Sequence, residues 1–314
     1  NDPRDANGDL NPQSSYAGVS LAASQIRERG GIEIEVREYD DDNDPEKARQ
    51  IAGEIASSNA LAVISSSSIT NLEAMSDTLE NSGIPLIVVS PVTEQFTASN
   101  FYQFNLSYTV ETEGAYIANY LRRLIGSETV AILSTGDSYS QALARQFKNT
   151  FRGLGGTVSI ERSADEVTVD RIISDLVSAN PAAVFIAADE VTSAELVIQM
   201  KRQGLSYFTS GGNNLTSAAF LERIESEPEE ATFPGYFTEG IHTTRTIIFD
   251  SANRYANQFL VDYQNAYAAD GTRSLEPPND LVVNGYDAAL VLQSGGTTGT
   301  PKGIVQPHIM RWVH

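Results

Sequence analysis

Short apolar runs alternate with amphipathic segments over the first third of the chain, between Tyr16 and Thr93. In the amphipathic segments apolar residues recur at every third or fourth position, which indicates helices, whereas the apolar runs have the length of buried strands. Strands and helices that alternate in this way predict a parallel sheet with right-handed crossovers. Ligands of such sheets bind outside the carboxyl ends of the strands. Serines 65–68 follow one of these strands, so the pattern predicts that a small polar molecule binds there.

The same pattern predicts three helices and three strands before residue 108. The first helix ends at Gly30-Gly31, because glycine is the usual residue beyond a helix C-terminus. Thr70 and Glu73 have the spacing of a capping box, which predicts that the third helix begins there. The predicted helices cover residues 15–29, 45–57 and a segment from 70 onward, and the predicted strands cover residues 32–39, 60–64 and 84–89.

A second series of the same kind starts after Tyr108. One of its helices ends at residues 155–156 and has an apolar face on which Leu143, Phe147 and Phe151 are spaced four apart. Two α/β series with a return segment predict two lobes with a cleft between them. The other predicted helices cover residues 112–125, 169–178, 192–203 and 251–268, with a last one from about 284, and the predicted strands cover residues 129–133, 158–161, 182–187, 207–210 and 234–238.

Composition narrows the class of protein. The length of 314 residues is compatible with about two domains, and no apolar run approaches the roughly 18 residues of a membrane-spanning helix. The chain has no cysteine, which excludes disulfides and thiolate metal sites. The net charge is −20, from 41 acids against 21 bases. This balance argues against binding to nucleic acid or to anionic membranes, and it indicates either a hydrated acidic surface or attraction of a cationic ligand.

Acidic residues cluster over residues 40–44. The cluster lacks the glycine and the distal glutamate of an EF-hand calcium loop. Asp44 followed by Pro45 has instead the pattern of a helix N-cap and a first helical residue. We therefore interpret the cluster as a turn before a helix and expect no metal site.

Several short motifs follow one another in a set order along residues 14–292. They are Tyr16-Ala17-Gly18, Gly30-Gly31-Ile32, Asp40-Asp41 with Asp44-Pro45, Ala62-Val63-Ile64, Gly83-Ile84-Pro85, Ser90-Pro91, Val130-Ala131-Ile132-Leu133, Tyr139 with Ala144, and Gly285-Tyr286-Asp287-Ala288. Together their order and spacing resemble the type I periplasmic solute-binding proteins, on the branch that serves branched-chain amino acid ABC transporters.

The resemblance implies an α/β fold of two Rossmann-like lobes with parallel sheets, joined by three crossovers, that close by a hinge around a solute. Lobe 1 would cover residues 1–107 and 236–293, lobe 2 would cover residues 108–235, and residues 294–314 would form an atypical tail. Family members begin with a strand that has no counterpart in this sequence. We therefore expect the first strand of lobe 1 to be missing.

The resemblance also implies which residues contact the solute. In the family the contacts come from strand ends, where hydroxyl and backbone N–H groups hold a carboxylate. Carried over to this sequence, the ligand-binding residues are Ser67, Ser68, Thr70, Val92, Thr93, Tyr139, Asp189, Glu190, Gly212 and Asn213.

Other roles remain open for some of these residues. Thr70 would also be the predicted helix cap, and Asp189 follows a buried strand, where an acid often caps the next helix. Ser67 and Ser68 would equally suit a solvated turn. Tyr139 would equally suit packing at the start of a helix.

One departure from the family pattern concerns the charge of the ligand. The family's amino acid binders carry an acid in the loop after the strand that corresponds to residues 207–210, where it pairs with the ligand ammonium. Here that loop reads GGNN over residues 211–214 and has no charge. A buried ammonium without a partner is costly. Either Asp189 or Glu190 takes this role or the ligand is not an α-amino acid, and we favour the altered ligand.

The end of the sequence carries a different motif. Residues 294–303, SGGTTGTPKG, resemble the phosphate-binding loop of adenylate-forming enzymes, and His308 follows. The remaining residues are too few for the rest of such an enzyme. The motif would belong to a joined gene fragment, a truncated natural fusion or a chance glycine-rich tail, and in each case we expect it to be inactive.

The leading hypothesis is a non-enzymatic protein that captures a small polar solute, such as an amino acid, an amide or a related carboxylate, for the permease of an ABC transporter. It would be a periplasmic or extracellular monomer without cofactor, metal or catalytic residues. The sequence opens without a leader, which is compatible with a processed, a truncated or a cytosolic chain. Alternative hypotheses are a ligand-sensing domain of a receptor or regulator and, third, a fragment of an adenylate-forming enzyme.

Overall fold

The computed structural model describes residues 11–31, 33–98, 101–245, 253–268, 277–296 and 311–313. The chain forms two compact units. Unit 1 consists of Asn1–Tyr108 with Thr246–Ile309, and unit 2 consists of Thr109–Arg245 with Met310–His314. Residues 236–245, which the sequence analysis assigns to lobe 1, thus lie in unit 2.

Helices make up most of the regular structure. The α-helices are α1 (Ser15–Glu28), α2 (Pro45–Ala56), α3 (Ile69–Asn81), α4 (Glu94–Ala98), α5 (Val110–Asn119), α6 (Ser138–Gly153), α7 (Val169–Ala179), α8 (Glu190–Arg202), α9 (Ala218–Glu225), α10 (Pro228–Thr232), α11 (Arg254–Tyr267) and α12 (Asp280–Gly296). A π-helical turn, Tyr120–Leu124, continues α5, and a 3-10 turn covers Asn213–Thr216.

The strands belong to one sheet in each unit. They are β1 (Val63–Ser65), β2 (Leu86–Val88), β3 (Gln103–Asn105), β4 (Thr129–Ser134), β5 (Thr157–Ser163), β6 (Ala183–Ala187), β7 (Phe208–Gly211), β8 (Ile241–Arg245) and β9 (Arg311–Val313). In unit 1 the described strands pair in the order β1-β2-β3, all parallel. In unit 2 the order is β5-β4-β6-β7-β8-β9, with only β9 antiparallel to its neighbour. The predicted α/β class with parallel sheets is confirmed.

The core of unit 1 depends on close contact between two helices. A Cβ atom on Gly18 of α1 would overlap the carbonyl oxygen of Val282 in α12, and one on Gly285 of α12 would overlap the carbonyl oxygen of Ser15. Glycine at both positions therefore lets the two helix backbones pack directly against each other. Tyr267 of α11 donates from its hydroxyl to the Ala17 carbonyl at 2.7 Å and ties a third helix to this pair.

Aromatic packing fixes the core of unit 2. Every residue of β6 is buried, as expected for a central strand of a parallel sheet covered on both faces. Phe147 of α6 stacks on Phe185 of β6 with 3.8 Å between ring centroids, and both side chains are fully buried. Phe151, one turn further along α6, stacks on Phe147 at 5.5 Å. The apolar residues that were predicted to lie on one face of this helix therefore hold α6 against the sheet.

The acidic cluster forms the predicted turn. Asp42 and Asn43 have positive φ angles of 50° and 54°, the left-handed conformation that Asn and Asp adopt more readily than other side chains. Asp44 is the N-cap of α2 and accepts a hydrogen bond from the Glu46 N–H at 2.9 Å, with Pro45 in the first turn. The interpretation of this cluster as a turn before a helix is confirmed.

The strand predicted over residues 32–39 is wrong. Residues 33–40 form no strand, and residue 32 lies outside the described residues. The side chains do alternate between more and less exposed positions, and Val36 packs on a small cluster of Val19, Ala22 and Ala289. The alternating exposure therefore arises because one face of an irregular segment packs against the protein. A strand also requires a neighbouring backbone to complete a ladder, and none of the described strands pairs with this segment.

The strand predicted over residues 234–238 is also wrong. The segment forms turns that end at Gly240, and β8 begins only at Ile241. The carboxylate of Glu230 accepts hydrogen bonds from the backbone N–H groups of Gly235 and Phe237, and Phe237 is 2% exposed. The apolar residues of this segment therefore fill the core from a turn, which a periodicity argument does not distinguish from a buried strand.

The C-terminal segment is more structured than a tail where the structure describes it. Helix α12 continues to Gly296, and β9 forms the edge of the unit 2 sheet next to β8. The rest of the adenylate-type motif, residues 297–303, lies outside the described residues, as does His308. Among the helices that are described, none is long and apolar enough to cross a bilayer.

An ion-pair cluster in unit 2 predicts an acid-sensitive contribution to stability. Hydrogen bonds from Arg223 and Arg202 hold the pKa of the Glu227 carboxyl below its ordinary value of 4.5. Because the folded-state pKa is lowered, this stabilisation is present above pH 4.5 and is lost as the pH falls through the folded-state value. We expect Glu227→Gln to lower Tm by about 2–4 °C at pH 7.

Melting curves from pH 7 to pH 3 test this expectation. The difference between Glu227→Gln and wild type should shrink as the pH falls from 4.5 toward the lowered folded-state pKa, because the carboxyl of the unfolded wild type takes up its proton in this range while the folded one is still ionised. Glu225→Gln, which removes an exposed carboxylate of α9, is the matched control and should follow wild type throughout. A Tm difference for Glu227→Gln that is the same at pH 7 and pH 3 would contradict the prediction.

Candidate functional site

Polar side chains gather at the carboxyl ends of the parallel strands of unit 2. These strands are β4, β6, β7 and β8, which are neighbours in the sheet. Asp189 and Gly212 lie in the loops after β6 and β7, Asn213 begins the 3-10 turn after β7, and Tyr139 lies in the first turn of α6 after β4. The resemblance assigns all four residues to the site. This edge of the sheet is the place where open α/β sheets bind ligands.

Tyr139 lies in a hydrogen-bond network with a buried carboxylate. Its Oη atom lies 2.8 Å from Oε2 of Glu113 and 2.9 Å from Oδ1 of Asn213. Oε1 of Glu113 accepts hydrogen bonds from the Asn213 N–H at 2.8 Å and from the Thr244 hydroxyl at 2.5 Å. Glu113 is 0% exposed. The network therefore joins α5, α6, the loop after β7 and β8 at one carboxylate.

Gly212 gives the network its close packing. A Cβ atom at this position would overlap the Tyr139 hydroxyl and would lie 2.8 Å from Cδ2 of Leu143. The Gly212 carbonyl accepts a hydrogen bond from the buried Thr243 hydroxyl at 2.6 Å. The absence of a side chain at residue 212 thus allows the loop after β7 to approach α6.

Asp189 is the N-cap of α8. Its Oδ1 atom accepts a hydrogen bond from the Thr192 N–H at 2.9 Å, and its own N–H donates to the Thr135 hydroxyl at 2.8 Å. Thr135 in turn lies 2.8 Å from Oδ2 of Asp137, the N-cap of α6. The capping role that the sequence analysis left open for Asp189 is therefore present. Glu190 follows as the first residue of α8.

The serine loop of unit 1 is held by an acid from the turn before α2. The Ser67 hydroxyl donates to Oδ2 of Asp41 at 2.6 Å and lies 2.9 Å from the Ser65 hydroxyl. Ser66 is 3.0 Å from the hydroxyl of Ser15 in α1, and the Ser90 hydroxyl donates to the Ser67 carbonyl at 3.1 Å. The serines that follow β1 are therefore an ordered, hydrogen-bonded loop.

The capping box predicted at Thr70 is wrong. Helix α3 begins at Ile69, and Ser68 has the extended backbone of the N-cap residue. The helix begins earlier than predicted because Ile69 is itself buried, at 6% exposure. Thr70 therefore lies in the first turn and is exposed, and Ser68 makes no side-chain capping bond. In the same turn Asn71 is 1% exposed, and neither atom of its amide has a hydrogen-bond partner.

The loop after β2 contributes less than the resemblance implies. Val92 is fully buried, so its side chain belongs to the core. The Thr93 hydroxyl accepts a hydrogen bond from the Phe96 N–H at 3.2 Å at the start of α4. Its hydroxyl hydrogen is not used in that bond.

Sequence reasoning missed several residues of these networks, among them the acids Glu113 and Asp41. A signal for Glu113 exists, since it falls on the buried stripe of α5 together with Val110, Gly114 and Ile117, where an acid is out of place. No such signal marks Asp41, which is one of several neighbouring acids. Within the described ranges, no group of three or more His, Cys, Asp or Glu could hold a metal ion.

Comparison with solved structures finds the same fold in solute-binding proteins of ABC transporters. The branched-chain amino acid transporter substrate-binding protein LivJ from Streptococcus pneumoniae, solved with isoleucine, is 18% identical over 90% of this chain and 78% of its own, with a TM-score of 0.78. The leucine-binding protein LivK from Thermotoga maritima is 20% identical over 92% and 79%, with a TM-score of 0.75. A solute-binding protein from R. palustris, solved with benzoate, is 20% identical over 90% and 74%, with a TM-score of 0.72.

Sequence comparison assigns the family. No curated protein sequence matches the chain. The sequence profile of the periplasmic binding proteins matches residues 3–300, which is nearly the whole chain. The resemblance to the periplasmic solute-binding proteins is thereby confirmed, and the chain belongs to the periplasmic binding protein family.

Proposed function

We propose that the chain is the extracytoplasmic solute-binding protein of an ABC transporter and that it captures a small polar solute for the transporter's permease. It acts as a monomer in the periplasm or outside the cell and carries out no chemical step. The observation that supports this best is the ordered set of polar groups at the carboxyl ends of the unit 2 strands, in a chain of this family.

The candidate solutes are amino acids, amides and related carboxylates. Similar structures contain isoleucine, leucine or benzoate, and these ligands share a compact apolar body with a carboxylate. The polar groups that we propose to contact the solute are Ser67, Ser68, Thr70, Thr93 and the backbone of Val92 in unit 1, and Tyr139, Asp189, Glu190, Gly212 and Asn213 in unit 2.

A thermal-shift screen tests the proposal. Ligand that binds only the folded protein raises its stability in proportion to the logarithm of the ligand concentration. At 100 times the dissociation constant we expect Tm to rise by about 5–10 °C. Stabilisation by one of these solutes, and not by ATP with magnesium, supports solute capture. Stabilisation by ATP with magnesium alone would support the adenylate-type alternative and refute the proposal.

Tyr139→Ala locates the site. We expect the solute-dependent rise in Tm to disappear, because the variant lacks both the ring and the hydroxyl, while circular dichroism of the unliganded protein still shows a folded α/β chain. Tyr255→Ala is the matched control, since Tyr255 is 86% exposed on α11, and it should keep the full rise. An undiminished rise for Tyr139→Ala would remove Tyr139 from the site.

A further inference from the structure

The first turn of α3 contains a buried side-chain amide without hydrogen-bond partners. Asn71 is 1% exposed, and neither its Nδ2 nor its Oδ1 atom has a partner among the described residues. An asparagine amide has two hydrogens to donate and an oxygen that accepts, and buried polar groups of folded proteins are nearly always hydrogen-bonded. The amide of Asn71 therefore carries an unused donor and an unused acceptor side by side.

The amino end of α3 also carries unused donors. The first hydrogen bond of the helix runs from the Leu72 N–H to the Ser68 carbonyl at 2.9 Å, so the N–H groups of residues 69–71 have no partner within the helix. The Ser68 side chain does not cap them. Because Cα–Cβ bonds in a helix are tilted toward its N-terminus, the Asn71 side chain is directed toward this same end, next to the loop after β1.

Two further buried polar atoms without a partner among the described residues lie at the same edge of the unit 1 sheet. Asn284 of α12 is 2% exposed, and its Nδ2 donates at 3.0 Å to the carbonyl of Val89, the residue after β2, while its Oδ1 has no partner. The second atom is Oγ of Ser107, two residues after β3. Unpaired buried polar atoms thus collect at the carboxyl ends of the strands, where open α/β sheets bind ligands.

We propose that Asn71 contacts the solute and selects a carboxamide group, whose carbonyl accepts from Nδ2 and whose NH₂ donates to Oδ1. This inference rests on the proposed function, in which residues at the amino end of α3 contact the solute. The helix N-terminus attracts a carbonyl oxygen and a carboxylate alike, so the discrimination comes from Oδ1. A carboxylate has no hydrogen for this atom, and a site that is built to hydrogen-bond an N–H group rejects analogues that lack it.

The burial of Asn71 couples this contact to a local movement. Both amide atoms are covered in the structure, so the segments around them shift when the solute binds. An unpaired buried amide destabilises the conformation that contains it. Hydrogen bonds from the solute remove this cost, and the solute therefore favours the shifted conformation.

Asn71→Leu distinguishes a solute contact from a structural role. Leucine has nearly the size and shape of asparagine but no polar atoms. Removing an unpaired buried polar group without changing the shape is neutral or stabilising. We therefore expect the Tm of the variant without solute to equal or exceed that of wild type, while its selectivity for amides is lost.

Paired probes measure this selectivity. Benzamide and benzoate differ in an amide in place of a carboxylate, and so do L-glutamine and L-glutamate. For wild type we expect the amide to bind more tightly in at least one pair. In Asn71→Leu the affinity ratio within that pair should fall by about 10- to 100-fold, the range expected for two neutral hydrogen bonds. Calorimetry or fluorescence titration gives both dissociation constants.

A second variant keeps the test decisive if Asn71→Leu does not fold. Asn71→Ala removes the same amide and adds no bulk, so the affinity ratio should fall in the same direction. Asn81→Leu is the control, since Asn81 is the exposed last residue of α3, and it should leave the ratio unchanged. A general loss of stability would weaken both members of a pair alike and would not move the ratio.

The outcomes separate the two proposals. If none of the four probes and no other amino acid, amide or carboxylate binds wild type, solute capture itself is refuted and this inference with it. If a solute binds wild type, but neither amide binds more tightly than its carboxylate, the selection of a carboxamide is overturned and solute capture stands. The same holds if the Asn71 variants keep the wild-type ratio, even with a lowered Tm, because the role of Asn71 is then structural.

Discussion

Gly18→Ala should destabilise unit 1 by at least about 2 kcal/mol and lower Tm by about 5 °C or more. The new methyl group would overlap the Val282 carbonyl oxygen and lie 2.9 Å from the Tyr286 backbone nitrogen. Both atoms belong to the backbone of α12, so no side-chain rotation relieves the overlap. The helices α1 and α12 must therefore separate, and the buried contacts of α1 around Val19, Leu21 and Ala22 weaken with them.

Gly53→Ala provides the matched control. Gly53 lies inside α2, and a Cβ atom there would have no neighbour within 4 Å. Alanine is favoured over glycine in a helix interior by about 1 kcal/mol, so the same substitution should raise stability slightly. Thermal melting of both variants beside wild type checks the pair. Equal Tm values for Gly18→Ala and wild type would show that the two helices do not pack backbone to backbone.

Phe147→Ala should cost about 3–5 kcal/mol and lower Tm by about 10 °C. Phe147 is fully buried between the rings of Phe185 and Phe151. Truncation removes its buried apolar surface and leaves a cavity that the neighbouring rings cannot fill without moving. Because α6 carries both Phe147 and Tyr139, the loss also loosens the helix that presents the proposed solute contact. The solute-dependent rise in Tm should therefore shrink as well.

Two further substitutions control for the cavity. Phe147→Leu keeps most of the apolar volume and should cost only about 1–2 kcal/mol. Phe233 is 66% exposed, and Phe233→Ala should change stability by less than about 0.5 kcal/mol. Denaturant unfolding gives the free energies. A result in which Phe147→Ala and Phe233→Ala have equal effects would contradict the assignment of Phe147 to the core.

The elements that were predicted correctly from the sequence are those whose local pattern is compatible with only one secondary structure. Helix α2 has an N-cap at Asp44, a proline at its first position and an apolar face with Ala48 and Ala52. Helix α6 has aromatic residues four apart, and β6 is a continuous apolar run. In these segments local propensity, capping and burial agree, so tertiary contacts had no conflict to resolve.

The predictions failed where the local pattern was compatible with more than one secondary structure. The alternation over residues 33–40 fits a strand, but a strand forms only beside a partner backbone. The apolar residues near Phe237 fit a strand as well as a turn that fills the core. At Thr70 two hydroxyl residues competed for the N-cap, and the burial of Ile69 favoured Ser68. In each case the outcome depended on the rest of the chain, which supplied no partner strand in the first case and a buried environment in the other two.

The same distinction between local and long-range information applies to the residues of the candidate site. The family resemblance placed Tyr139, Asp189, Gly212 and Asn213 in the site, and the parallel strands of unit 2 bring the segments that contain them to one edge of the sheet. The sequence left the capping role of Asp189 open, and it did not show that Glu113 contacts Tyr139 and Asn213. Those contacts join residues 26 and 100 positions apart, and sequence spacing carries no information on them.

By itself, the sequence determined the α/β class, the order of most helices and strands, and the edge of the sheet at which polar groups collect, because these follow from periodicities of two to four residues. Only the tertiary structure decided which acid lies beside Tyr139 and which groups hydrogen-bond to that acid. A hydrogen bond depends on the distance and direction between two groups, and in a folded chain these are set by packing between segments that are distant in sequence.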